Sequence, residues 1–178
     1  MKQQKTGGVF MPRIAVFIDG SNFFYMQTRD LGQFIDPKKL LEYIGQFGDI
    51  TDAYYYTGED DHPDVKQQGY LDALPHMGYS LVTKRIKTIF DPQTGTTKRK
   101  ANLDIEIVLD MFNTIDNYDM AVLVSGDGDF ERALLMLKSR GKQFKVMATD
   151  NFAAMEIRRV AGMHYINLSE IADKLRKD

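Results

Sequence analysis

Two stretches of the same design decide the fold: Arg13-Ile14-Ala15-Val16-Phe17-Ile18-Asp19-Gly20-Ser21-Asn22-Phe23, and Met120-Ala121-Val122-Leu123-Val124-Ser125-Gly126-Asp127-Gly128-Asp129-Phe130. Each begins with an almost unbroken apolar, β-favouring run and then breaks into acids, glycine and small polar residues. A strand without polar alternation must be covered on both faces, as in parallel sheets flanked by helices. The polar break then falls at the carboxyl end of the strand, outside which open α/β sheets bind their ligands.

Working outward, strand and helix patterns alternate. Asp36 as cap and Pro37 in the first turn predict a helix over 36–47. The aromatic run TDAYYYT at 51–57 reads as a strand, 63–77 as a helix closing near Pro75 and Gly78, and 79–90 as a third strand ending in the turn Asp91-Pro92-Gln93-Thr94-Gly95. In the second half a helix over 102–115 precedes the strand at 120–124. A helix from Phe130 to Gly141, a strand at 144–148, a helix at 152–161 and a short strand at 165–168 follow. Ser169 is a suitable cap for a closing helix over 169–176. The expected architecture is one α/β domain over 13–178, a three-layer sandwich with a mostly parallel central sheet, behind a loose tail at 1–12.

The 178 residues suffice for one sizeable core, and 43% hydrophobic with 27% charged residues is ordinary for a globular chain. The absence of cysteine excludes disulfides, thiolate zinc sites and cysteine nucleophiles, and fits a reducing, cytoplasmic setting. No apolar run is long enough to span a bilayer, and the first residues lack the apolar core of a secretion signal, so no membrane partner is expected. Net charge is −2, but residues 84–100 hold Lys84, Arg85, Lys87, Lys98, Arg99 and Lys100 against the single acid Asp91. Such a local basic ribbon is compatible with phosphate contacts, although charge alone favours the plainer reading of a solvated hairpin.

The chemistry sits at the two strand ends. Asp19-Gly20-Ser21-Asn22 and Ser125-Gly126-Asp127-Gly128-Asp129 combine carboxylates with glycines expected to permit tight turns. In the helix at 102–115, Asp104, Ile107, Val108, Met111 and Ile115 share one face by i, i+3, i+4 spacing, so Asp104 lies in line with an apolar stripe. Glu106, Asp110 and Asn113 fall on the polar side. Several carboxylates around one crevice repel unless a cation neutralises them, and an all-oxygen donor set favours Mg²⁺ or Mn²⁺. Such an ion can orient and polarise a phosphodiester and activate water without a histidine base, which suits a chain whose His62, His76 and His164 follow no ligand spacing. Taken singly, each of these residues has a structural alternative: Asn22 could cap a helix over 23–29, Asp129 could cap the helix opening with Phe130, and Asp104 could pair with Lys98 or Lys100. The acid run Glu59-Asp60-Asp61 before Pro63 reads as a solvated loop.

FIDGSNF at 17–23, KANLD at 100–104 and SGDGDF at 125–130 resemble the NYN domain family of PIN-like nucleases, in its bacterial LabA-like branch. The middle motif departs from the family's pattern at Ala101–Leu103 but keeps the acid. The resemblance implies a PIN-like fold, a Mg²⁺ or Mn²⁺ cofactor and an RNA substrate, single-stranded, hydrolysed at its phosphodiester bonds. Carried over by position, Asp19, Asp104, Asp127 and Asp129 are the metal-holding and catalytic acids, Asn22 orients Asp19 or a phosphate oxygen, and Ser125 supports the same crevice. Asp110 matches a further acid of the branch, although the helix reading turns it away. Lys84, Arg85, Lys98, Arg99 and Lys100 are the expected phosphate contacts. The branch also implies an alternative, a non-catalytic regulatory or RNA-binding protein acting in control of gene expression. Pairing into a homodimer through an exposed edge or helix is allowed, with no dedicated motif for it.

Overall fold

The computed structural model describes residues 10–60 and 64–178. The expectations for the tail at 1–9, for His62 and for Asp61 and Pro63 of the acid run lie outside the described residues.

The apolar runs become the two innermost strands of a six-stranded sheet. These are β1 (Arg13–Asp19) and β6 (Met120–Val124), flanked by β2 (Asp49–Glu59), β3 (Ser80–Arg85), β7 (Gln143–Ala148) and β8 (Tyr165–Asn167). The order is β3-β2-β1-β6-β7-β8, and every pairing is parallel. Alternate residues of β1 feed two cores, as the period of a strand requires. Ile14, Val16 and Ile18 pack with Phe23, Leu40, Ile44 and Leu168 on one face, while Ala15 and Phe17 pack with Ile107, Met111, Leu134 and Ile157 on the other. The first layer is built by α1 (Gly20–Tyr25), α2 (Pro37–Ile44), α3 (Val65–Ala73) and α7 (Leu168–Leu175). The second is built by α4 (Asp104–Asn113), α5 (Glu131–Ser139) and α6 (Met155–Ala161). The three-layer α/β expectation is met.

Four local expectations are corrected. The strand expected at 79–90 is two: β3 joins the sheet, and β4 (Lys87–Asp91) leaves it to pair antiparallel with β5 (Thr96–Lys100) as a separate hairpin. The run is broken at Ile86, where the chain stops following β2 and turns to a partner it can meet through the tight turn at Gly95, φ 63°. Asn22 caps no helix: Asp19 caps α1, its carboxylate accepting from the Asn22 N–H at 3.1 Å. Asn167, not Ser169, caps α7, its side-chain oxygen accepting from the Ser169 N–H at 2.9 Å. Gly20, Gly126 and Gly128 do not use the left-handed region; among the described residues that falls to Gly32, Gly78, Gly95, Gly141 and Gly162. Gly20 and Gly126 instead admit backbone that no side chain could pass. A Cβ on Gly20 would lie 2.4 Å from the Tyr56 carbonyl oxygen, and one on Gly126 2.2 Å from that of Phe152.

Candidate metal centre

Successive connections leave β1 toward β2 and β6 toward β7, so the strand order reverses between these two neighbours. A crevice opens at such a reversal. Here it is about 300 Å³, lined by Asp19, Ser21, Asn22, Tyr25, Ala101, Asn102, Leu103, Asp104, Asp127 and Asp129. The two polar breaks of the sequence and the start of α4 therefore meet in space.

Asp104, Asp127 and Asp129 each offer a carboxylate oxygen, and these atoms lie within 4.8 Å of one another. Asp104 and Asp127 are half-buried and Asp129 is exposed. Asp104 stands at the first position of α4, where Asn102 folds back so that its side-chain oxygen accepts from the Asp104 N–H at 2.8 Å. Asp127 caps the short 3₁₀ turn Gly128–Phe130 by accepting from the Asp129 N–H at 3.0 Å. Capping by Asp129 itself is thus replaced by capping of Asp129.

Asp19 forms the inner wall. It is 9% exposed, and its two oxygens accept from the Asn22 N–H and, at 3.0 Å, from the Ser125 hydroxyl. Burial pushes its carboxyl up to about 6; the Asn22 and Ser125 hydrogen bonds oppose this, and the nearby charges of Asp104 and Asp127 add to it. Asp19 lies outside the 4.8 Å group but feels two of its members. Ser125 is fully buried and also accepts from the Asp127 N–H at 3.2 Å, so one hydroxyl ties the acids of both strand ends. Asn22 completes the brace by accepting from the Gly126 N–H at 3.0 Å.

Of the other expected residues, Asp110 and Lys84 are engaged by groups other than the clustered acids. Asp110, on α4, accepts from the Tyr56 hydroxyl at 2.9 Å and so ties the helix to β2, rather than lying on a solvated polar face. Lys84 donates to Glu106 at 2.6 Å and to the Asn102 carbonyl at 3.1 Å, spanning β3 and the approach to α4. The hydrogen bond from Lys84 holds the Glu106 carboxyl below the usual range. Arg85 is exposed at the end of β3, and Lys98, Arg99 and Lys100 lie on β5 with side chains outside the described residues. The sequence reading missed Ser21, Tyr25 and Asn102. Ser21 and Tyr25 are four apart on α1, so the spacing that aligned Asp104 with its stripe also marks them.

The donor set fits a hard divalent cation. In an octahedral shell with bonds of about 2.1 Å, ligand oxygens stand no more than about 4.2 Å apart. The 4.8 Å group needs only a small contraction to reach that.

A doubly covered parallel sheet with clustered acids at its reversal makes this an α/β domain with a ligand crevice at its switch point. The chain belongs to the NYN domain family, whose model matches residues 13–169. It is 44% identical over 168 residues to the low amplitude and bright protein LabA of Synechococcus elongatus, covering 93% of this chain and 88% of that protein. An uncharacterized protein of Methanocaldococcus jannaschii is 24% identical over 151 residues, covering 84% of this chain and 52% of that one. Among solved structures, a protein of unknown function from Vibrio parahaemolyticus superposes with a TM-score of 0.78 at 21% identity, over 92% of this chain and 96% of its own, and so shares the fold.

Proposed function

We propose that this chain is a metal-dependent ribonuclease that hydrolyses phosphodiester bonds of single-stranded RNA. The observation that carries the reading is the meeting of Asp104, Asp127 and Asp129 within 4.8 Å at the sheet's reversal, with Asp19 on the same crevice wall. Asp104, Asp127 and Asp129 would hold Mg²⁺ or Mn²⁺, with Asp19 as the inner acid. When bound, the cation neutralises these acids and supplies Lewis-acid stabilisation to a phosphodiester in line with them. The chain's own work is orientation. Ser125 and Asn22 fix Asp19 against the β6 loop, so the acids need little reorganisation as a substrate arrives.

Phosphates flanking the crevice fall to Arg85 and to Lys98, Arg99 and Lys100 of the hairpin, whose backbone register sets Lys87 opposite Lys100 and Thr88 opposite Arg99. The Lys84 ammonium is engaged by Glu106, and we assign it to bracing rather than to phosphate contact. The family supports RNA as the substrate class.

The test is cleavage of a labelled single-stranded RNA in Mn²⁺ and in Mg²⁺ by the parent and by Asp127→Asn. The expected result is metal-dependent cleavage by the parent, reduced at least a hundredfold in the variant. Equal activity in both identifies a contaminating nuclease and removes the reading. Binding by both proteins without cleavage favours the non-catalytic, regulatory alternative.

A further inference from the structure

Beside the acidic crevice lies a group of exposed rings that neither the acids nor the basic hairpin explains. Tyr25, at the end of α1, lines the crevice and is 42% exposed. Phe24 packs edge-on against it with centroids 5.8 Å apart, and Phe34 lies 6.4 Å from Phe24; these two are 50% and 51% exposed. Burying a phenylalanine from water is worth about 2 kcal/mol, so three large rings left half-open side by side offer a contiguous apolar surface that a covering ligand would gain by burying.

Arg29 lies over the Tyr25 ring, its guanidinium carbon 4.2 Å from the centroid. It sits one turn on in the π-helical segment Met26–Leu31, a geometry that recurs at functional sites. Arg29 forms no ion pair among the described residues; the neighbouring Asp30 is engaged by the Asn151 amide at 2.7 Å. A planar cation on an aromatic ring, open to solvent and continuous with the crevice, suits a ligand that alternates flat π-faces with negative charge. Single-stranded nucleic acid is such a ligand, because an unpaired base can stack while the adjacent phosphate meets the guanidinium.

We infer that Tyr25 and Arg29, with Phe24 and Phe34 extending the surface, form a stacking platform for an unpaired base flanking the phosphate in the acidic crevice. This rests on the ribonuclease reading for the identity of the strand, and adds how the strand is held and why it must be single. One face of the ring carries the guanidinium and the ring is still open, so a base can join the stack without disturbing the core. A duplex keeps its bases stacked internally and offers none to Tyr25.

The experiment uses the full chain and a 12-nucleotide single-stranded RNA with 2-aminopurine at successive positions, in Ca²⁺ to limit cleavage. Stacking quenches 2-aminopurine, and affinity is read in parallel from anisotropy of an end label. The parent is expected to quench one position strongly and to prefer the single strand to the matching duplex. Tyr25→Ala should lose that quench, weaken binding roughly 5- to 100-fold and flatten the preference, whereas Tyr25→Phe should keep all three. Circular dichroism melting of Tyr25→Ala, expected near the parent's, separates lost stacking from lost folding. A parent that binds RNA while Tyr25→Ala binds and quenches identically overturns the platform and leaves the ribonuclease reading standing. A parent that binds no RNA overturns both. Sedimentation showing a dimer that Tyr25→Ala and Phe24→Ala dissociate assigns the rings to a second copy of the chain and overturns the platform.

Discussion

Asp19 serves two ends that pull its carboxyl in opposite directions. Capping α1 and accepting from Ser125 favour the charged form, while near-complete burial beside Asp104 and Asp127 disfavours it more, and the result is about 6 against an ordinary 3.8. A folded acid with a raised pKa binds its proton more tightly than the unfolded chain does. Its stabilising contribution is therefore complete below about pH 4 and is lost as pH rises through 6, by about 3 kcal/mol in the metal-free protein. In EDTA, the Tm of the parent relative to Asp19→Asn should fall between pH 4 and 7; a constant difference would remove the burial argument. Asp119 works in a separate window: hydrogen bonds from Arg13 hold it down at about 2, so its contribution is present above pH 4 and fades only toward pH 2. Gly126 makes a different residue-scale demand. Because a Cβ would meet the Phe152 carbonyl oxygen at 2.2 Å, Gly126→Ala should cost about 3 kcal/mol in urea unfolding.

At the scale of elements, α4 matters most, because its first residue is one of the three clustered acids. That residue is reached through a short approach, Ala101–Leu103, held by the Lys84 bonds to Glu106 and the Asn102 carbonyl. One oxygen of Glu106 is buried without a partner, so the pair is an imperfect but localised brace. A half-exposed ion pair of this kind contributes about 1 kcal/mol or less, and Lys84→Met should lower the melting temperature by no more than about 4 °C. Groups that orient metal ligands matter more to the ligands than to the fold, and Mn²⁺ affinity in the same variant should fall roughly tenfold by calorimetry. If Mn²⁺ affinity is unchanged and RNA affinity falls instead, Lys84 is a phosphate contact, as the charge pattern first suggested.

At the scale of the molecule, the centre exists only when the sheet and its second helical layer are assembled, since Asp104 arrives from α4 and Asp127 and Asp129 from the loop after β6. The folded chain should therefore bind Mn²⁺ far better than the unfolded one. A hundredfold excess over Kd stabilises by about 2.7 kcal/mol, which raises the Tm of a domain this size by roughly 5–10 °C. Differential scanning fluorimetry should show that rise in the parent and its loss in Asp104→Asn. Asp110→Asn, altered six residues along the same helix where the side chain meets Tyr56, should retain it. Loss of the shift in both variants would mean that general helix damage, not ligation, is being read.

The local pattern of the chain determined the covered parallel strands, the helices between them, the cap at Asp36 and the acids at the strand ends. Each follows from residues within a few positions of one another, through side-chain period, β preference and capping chemistry. Sequence did not reveal where β3 ends and the hairpin begins, because 79–90 is continuously compatible with a strand and only the available partners divide it. Nor did it reveal that Lys84 braces α4, or that Gly20 and Gly126 are demanded by neighbouring backbone rather than by turn angles. The division of the acids is likewise tertiary: three lie within 4.8 Å, while Asp19 stands behind them on Ser125. Distances between residues a hundred positions apart depend on how β1 and β6 lie side by side, and that packing is set by the whole core rather than by any one segment.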